Sequence, residues 1–340
     1  MSYLLKVLFT STLCLIVFSP SVAADNAAEL ATVKAKYERP ASIPFPEENE
    51  YSDAKNELGK SLFFDPRLSA SKTQSCATCH NPSLGWEDGM ALGTGHGHKK
   101  LGRATPTVLN LAWDELFFWD GRAESLEEQA LGPIASGGEM NMPLDDAIAV
   151  LKAISGYAPM FQAAFPEEKG EISEETIGMA IATYERTIIS GEAPFDRWVK
   201  GDESAISKAA KKGFMLFNNK ANCATCHTGW NFSDNSFHDI GLKSTDIGRF
   251  AHLKMPTMVN AFKTMGLRNI DQRAPYMHDG SSASLSDVVD HYNNGFVKRE
   301  NLSVQIKSIN LSQQEKQQLI AFLHTLTSVD EAVTFPVLPK

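Results

Sequence analysis

Ile177, Ile181, Tyr184 and Ile188 recur at three- and four-residue spacing, which places them along one face of a helix. Ser173 stands before this run as an N-cap. Glu174 and Glu175 follow in the first turn, where carboxylates suit the helix dipole. Near the far end, Ser312-x-x-Glu315 has the form of a capping box ahead of Leu319, Phe322, Leu323 and Leu326. Leu144, Ile148 and Leu151 make a third stripe. All three are read as core-facing. Sustained alternation of apolar and polar residues is scarce, and long polar, glycine-rich loops join the stripes, so the pattern predicts an all-α chain. One apolar run is of another kind. Val7 to Phe18 follows Lys6 and precedes Pro20-Ser-Val-Ala-Ala24, a small-residue cleavage pattern. At about 12 residues it falls short of the roughly 20 that cross a bilayer. Cys14 sits inside it behind Leu13, without the small residue of a lipid-attachment site. Residues 1–24 are read as a signal peptide, and no membrane span is expected after its cleavage.

The 340 residues are 43% hydrophobic and 21% charged, an ordinary globular composition with room for about two domains. Disorder, collagen-like repeats and a polytopic membrane protein are excluded. Acids outnumber bases 41 to 32 for a net charge of −9, which argues against a nucleic-acid partner. Internal repetition refines the domain count. The pentapeptide Cys-Ala-Thr-Cys-His occurs at 76–80 and again at 223–227. Ala104-Thr-Pro-Thr-Val-Leu-Asn110 is echoed by Lys254-Met-Pro-Thr-Met-Val-Asn260, and Asp120-Gly-Arg-Ala-Glu-Ser-Leu126 by Asp279-Gly-Ser-Ser-Ala-Ser-Leu285. The offsets are 147, 150 and 159 in the same order, the mark of a duplicated domain and not of a short-repeat solenoid. The expected organisation is an N-terminal extension at 25–50 and domains at 51–195 and 196–340, divided within the Gly/Pro/charge-rich stretch Gly191–Asp202.

The cysteines carry the chemistry. In an exported chain paired cysteines suggest disulfides first. A two-residue gap followed at once by histidine instead fits c-type haem attachment: two thiols add to the haem vinyl groups, and the next residue brings its imidazole under the iron. A zinc ribbon would repeat its pair within about 20 residues, and a thioredoxin-like pair would need a βαβ unit, which is absent. Cys76, Cys79, Cys223 and Cys226 are therefore expected to hold two covalent c haems, with His80 and His227 as proximal ligands. The predicted fold is two tandem cytochrome c domains whose long loops embrace the haems.

Two haems serve an electron carrier, a peroxide-using enzyme or a sensor. Phe117-Phe-Trp-Asp-Gly-Arg122, Leu126-Glu-Glu-Gln129, Leu131-Gly-Pro133, Glu139-Met140 and Ala274-Pro-Tyr-Met-His-Asp-Gly280, taken with the two pentapeptides, resemble the bacterial dihaem cytochrome c peroxidase superfamily over roughly residues 50 to 330. Within it the chain is most similar to the MauG-type branch, whose members use peroxide equivalents to oxidise tryptophan in a partner protein. The resemblance implies a periplasmic enzyme whose N-terminal domain is peroxidatic and whose C-terminal domain transfers electrons. It matches Glu139 to the acid–base residue above the peroxidatic haem, a role a carboxylate can fill by taking and returning a proton. Gln129 matches an amide that hydrogen-bonds peroxide, Pro133 a residue lining that pocket, and Trp119 the indole between the haems. It also implies one calcium ion, held by the Asn110 side chain and the carbonyls of Arg273 and Pro275, oxygen ligands of the kind calcium favours. Asn260 echoes Asn110, so a purely structural reason for Asn110 stands beside this one.

Downstream of His227, the candidates for the sixth ligand of the second haem are Met255, Met258, Met265, Met277 and Tyr292. Methionine would raise the potential and make an electron-entry port. The resemblance points to Tyr292, in Val288-Val-Asp-His-Tyr-Asn-Asn-Gly295, as in the MauG-type branch. His96, in Gly93-Thr-Gly-His-Gly-His98, departs from that branch and matches the histidine that closes the peroxidatic haem in resting conventional peroxidases. A mobile iron ligand and a solvated loop residue both remain open for it. His238 and His278 are expected to hydrogen-bond near the haem propionates or the backbone. The leading expectation is hydrogen peroxide as one substrate and a tryptophan-bearing protein as reductant. The alternatives are a detoxifying peroxidase fed by a small cytochrome c or cupredoxin, and a non-catalytic dihaem electron carrier.

Overall fold

Glycine decides how the main helices meet. The structure, a computed structural model, describes residues 20–340. It begins with α1 (Pro20–Ala35). After an irregular stretch, α2 (Asp53–Phe63) is capped by Ser52, whose hydroxyl accepts the Lys55 N–H at 3.2 Å. A single turn, α3 (Cys76–Cys79), carries the first pentapeptide, and α4 (Leu126–Ala135), α5 (Leu144–Ala153), α6 (Tyr157–Ala164) and α7 (Glu174–Thr187) follow. Helix α2 crosses α7 at Gly59. A Cβ there would lie 1.8 Å from the Ala180 carbonyl oxygen and 2.9 Å from the Tyr184 Cβ, so only hydrogen fits. Leu58, Leu62, Phe63, Ile134, Leu151, Phe161, Ile177 and Ile181 close a hydrophobic core around this crossing.

The second half repeats the device. Helix α8 (Pro194–Val199) leads to α9 (Lys208–Asn218), and beyond two short helices, α10 (Phe250–Leu253) and α11 (Leu285–Asp290), comes α12 (Gln313–His324). Helix α9 crosses α12 at Gly213, where a Cβ would lie 1.9 Å from the Gln318 carbonyl oxygen and 2.8 Å from the Phe322 Cβ. In both crossings the glycine faces a carbonyl and, four residues on, a large aromatic residue. A second core, rich in aromatics, surrounds this one: Phe195, Trp198, Phe214, Phe217, Phe232, Leu319 and Phe322.

The two ends of the described chain are exchanged. Tyr37, just after α1, stacks on Phe232 at 4.9 Å and donates its hydroxyl to Asn218 Oδ1 at 2.8 Å, so the N-terminal segment joins the second core. The segment after α12 runs back to the first. Phe335 meets the Phe64 ring at 5.2 Å, Arg67 donates to the Pro339 carbonyl at 2.9 Å, and the Gly156 N–H donates to the Lys340 carbonyl at 2.9 Å.

The sequence pattern and the structure agree on several local points. Ser173 caps α7 through the Thr176 N–H at 3.2 Å, and Ser312 and Glu315 form the capping box of α12. Strand is limited, among the described residues, to an antiparallel pair, β1 (Phe237–His238) and β2 (Phe262–Lys263). The stretch Gly191–Asp202 is not a bare connector. It contains α8, whose Phe195 and Trp198 are fully buried in the second core. The signal peptide expected at 1–24 lies outside the described residues, apart from residues 20–24 at the start of α1. No described helix is long and apolar enough to cross a membrane.

Candidate active site

Each pentapeptide folds as a tight turn that hands its histidine to the loop behind it. The His80 N–H donates to the Cys76 carbonyl at 2.8 Å, and the His227 N–H to the Cys223 carbonyl at 2.9 Å. Cys76, Cys79, Cys223 and Cys226 are unpaired, so the disulfide alternative is excluded for them. His80 Nδ1 lies 3.2 Å from the Trp86 carbonyl oxygen, and His227 Nδ1 lies 2.9 Å from that of Phe232. A carbonyl can only accept, so each Nδ1 carries the hydrogen and each Nε2 keeps a lone pair for a metal. Burial holds both imidazoles below their ordinary pKa and favours this neutral form.

Two cavities open beside these histidines. The first, of about 530 Å³, is bordered by Cys76, Cys79 and His80. The second, of about 540 Å³, is bordered by Cys223, Cys226 and His227. Ala104, Thr105, Pro106, Trp119, Lys263 and Met265 border both, so the two are neighbours. Trp119 is fixed in this shared wall. Its Nε1–H donates to the Ala104 carbonyl at 2.9 Å, and its own carbonyl accepts the Lys263 N–H at 2.8 Å.

Gln129, Pro133 and Glu139 converge on the first cavity. The loop after α4 folds back over that helix's last carbonyls to bring them together. The Glu139 N–H donates to Ser136 at 3.0 Å, Met140 to Pro133 at 3.1 Å and Met142 to Ile134 at 2.8 Å. The Gln129 Oε1 is buried without a partner, as expected of a group aimed at an absent ligand. Glu185 also borders this cavity, and the sequence reading did not single it out. It is buried, its Oε2 is unpartnered, and burial pushes its carboxyl up to about 8. The signal was available: Glu185 follows Ile181 by four residues, on the apolar stripe of α7. His96 does not border the cavity. Its N–H donates to the Gly138 carbonyl at 3.1 Å, and its buried Nδ1 has no partner.

Tyr292 borders the second cavity from a wide turn, His291–Gly295, that continues α11, with Val288 and Val289 beside it. Its hydroxyl makes no hydrogen bond among the described residues, and burial pushes its pKa upward. Met265 and Met277 border the same cavity, whereas Met255 and Met258 do not. His238 bonds Asp234 at 2.8 Å. His278 stacks on Phe262 at 3.6 Å and lies 3.2 Å from Ser244 Oγ.

A third cavity, of about 10 Å³, has room for one small ion or water. Asn110, Asp114, Asn231, Arg268 and Arg273 are among its lining. The Asn110 Oδ1 accepts the Ser190 N–H at 2.9 Å, and its Nδ2 lies 3.4 Å from Asn231 Oδ1. Pro275 borders the second haem cavity and not this one. The carbonyls of Arg273 and Pro275 accept no hydrogen bond among the described residues.

With this geometry in place, likeness to known proteins becomes informative. A sequence profile described as di-haem cytochrome c peroxidase matches residues 53–204. The chain is 52% identical to the methylamine utilization protein MauG of Methylorubrum extorquens, over 92% of this chain and 89% of that protein. It is 34% identical to the cytochrome c551 peroxidase of Pseudomonas aeruginosa, over 92% of each. The chain belongs to the di-haem cytochrome c peroxidase family. Among solved structures, a MauG-like protein associated with microbial copper homeostasis superposes with a TM-score of 0.79 at 31% identity, over 86% of this chain and 95% of that one. Membership makes the chain a MauG-like dihaem oxidoreductase carrying two c-type haems. The free Nε2 atoms, the unpaired cysteines and the two cavities fit that cofactor.

Proposed function

We propose that this family member is periplasmic, consumes hydrogen peroxide at the haem on Cys76, Cys79 and His80, and passes the oxidising equivalents through Trp119 and the second haem to a tryptophan of a partner protein. The carrying observation is the meeting of Glu139, Pro133 and the orphaned Gln129 amide in the His80 cavity. A pure electron carrier has no use for that set. When bound, the haem supplies the iron chemistry that splits the O–O bond. Glu139 takes the proton that peroxide loses on binding and returns it to the departing oxygen. The Gln129 amide orients peroxide, and Pro133, lacking an N–H, keeps that wall apolar. The Trp86 carbonyl holds the His80 ring and raises its basicity as a ligand. His96 lies outside the cavity lining, which supports a site open to peroxide without prior reduction.

For the second haem we propose Tyr292 as the sixth ligand, supported by its free hydroxyl within the His227 cavity. An anionic oxygen ligand favours the oxidised iron, whereas Met265 or Met277 would favour electron entry. The two cores and the matched glycine crossings support two cytochrome c domains, with α8 on the side of the second, since its Phe195 and Trp198 pack in the second core and the expected cut at 195/196 falls inside that helix. The third cavity supports one calcium ion, with the Asn110 and Asn231 side chains as oxygen donors beside the free carbonyl of Arg273, while Pro275, matched to this site by resemblance, borders the second cavity instead. Two guanidiniums line the same cavity, and the one carboxylate of its lining, Asp114, is held by Lys263, so the cation would rest on neutral oxygen ligands. The methylamine utilization role of the 52%-identical relative supports a partner in that same process.

The test is a spectrum. One equivalent of hydrogen peroxide added to the fully oxidised protein with both haems attached is expected to change the visible and near-infrared absorbance at once. No change until one haem is reduced would overturn the open-site reading in favour of a gated peroxidase fed by a small cytochrome or cupredoxin.

A further inference from the structure

Lys263 is a buried cation in the wall between the two cofactor cavities. Its side chain is 1% exposed, and it borders both. Its ammonium lies 2.7 Å from Asp114 Oδ2, and the Asp114 side chain is itself 6% exposed. Asp114 borders the first haem cavity and the small third cavity, and its other oxygen lies 3.5 Å from Asn231 Nδ2. Lys263 and Asp114 are 149 positions apart, one on β2 and the other just ahead of the Phe-Phe-Trp segment. Removing two charges from water costs several kcal/mol per ion, so such a pair contributes little net stability. A pair of that kind in a cofactor wall calls for another explanation.

Electrostatics supplies one. A positive charge near a redox centre stabilises its reduced form and raises its potential, and a negative charge lowers it. In a low-dielectric wall these effects are screened far less than in water. Lys263 stands beside both haems, and Asp114 beside the first. We propose that the Lys263–Asp114 ion pair sets the potentials of the two haems and thereby the distribution of oxidising equivalents between them. Lys263 and Asp114 are positioning residues in this account: they touch neither peroxide nor iron, and they act through the charge they present to the cofactors. The inference rests on the reading that both cavities hold haem.

Spectroelectrochemical titration of the holoprotein in calcium-containing buffer tests it, with haem and calcium content measured on every sample and potentials compared between samples of equal content. Lys263→Met leaves Asp114 uncompensated and is expected to shift both haem potentials downward. Asp114→Asn leaves Lys263 uncompensated and is expected to shift them upward, with the first haem moving more. The double variant Lys263→Met/Asp114→Asn returns both close to wild type, and Lys263→Arg stays there. Shifts of the same sign in the two single variants, or none in either, would overturn the proposal. Those outcomes require two intact haem waves. Loss of one wave in the wild-type holoprotein would instead strike the two-haem reading. A merely structural role has no reason to give opposite signs that cancel in the double variant.

Discussion

Gly59 and Gly213 are structural counterparts: each lets one helix press its backbone against the carbonyl of another, at Ala180 and Gln318 respectively. A methyl group at either point overlaps a backbone oxygen, which moves only if the whole helix moves. Gly59→Ala and Gly213→Ala are each expected to destabilise by about 1–3 kcal/mol despite alanine's better helix propensity. Thermal midpoints of the two holo variants check this, and an unchanged or raised midpoint would show that the crossings relax freely.

Glu139→Gln keeps the size and removes the acid. Peroxide turnover is expected to fall by about 10²–10⁴-fold, the range for loss of a positioned proton carrier. The resting haem spectra should not change, because the proximal contacts of His80 run through Trp86 and Cys76. Stopped-flow mixing with peroxide is the measurement. Full activity would remove Glu139 from the mechanism.

Glu185 gives a pH signature. Its folded pKa is raised to about 8 from an ordinary 4.5, so between those values the folded chain holds a proton that the unfolded chain has released. Its contribution to stability is complete below pH 4.5 and is lost as pH rises through 8. Glu87, pushed up to about 8 by burial near Arg273, acts with the same sign. Glu185→Gln is therefore expected to flatten, though not abolish, the fall in thermal midpoint between pH 5 and 8. Parallel curves for variant and wild type would contradict a protonated Glu185.

Calcium is checked by removal. Elemental analysis is expected to find one calcium per chain, and dialysis against EGTA to lower the thermal midpoint by several degrees, restored by added calcium. A ligand present at about 100 times its dissociation constant stabilises by about 2.7 kcal/mol. No bound calcium and no response to chelator would leave the third cavity to water.

What could be read from the sequence, and what could not, follows the range of the forces involved. The Ser173 and Ser312 caps were legible because a cap bonds the backbone three residues away. The haem sites were legible because thioether chemistry fixes the cysteine spacing. Glu185 left a trace, a carboxylate on an apolar stripe, but its burial depends on how α7 meets the first cavity. The Lys263–Asp114 pair left none, since nothing local links residues 149 positions apart. Pro275 was expected beside Asn110 on resemblance alone, and its place in the second cavity wall depends on loop geometry that has no sequence period.

The exchanged ends impose an order on folding. Tyr37 is among the early residues to be made, yet its neighbours Phe195, Phe214 and Phe232 come some 160 to 200 positions later. Phe335, in turn, closes on Phe64 when synthesis is nearly over. Such distant contacts slow folding, because long loops must close before any contact rewards them. The first core can gather around α2 and α7 while the segment before it still waits for a partner. Cys76 packs against that first core, so the first attachment turn can take shape before the chain ends are tied across. The last strap to fasten, at Phe335 and Pro339, returns the end of the chain to the half in which folding can begin.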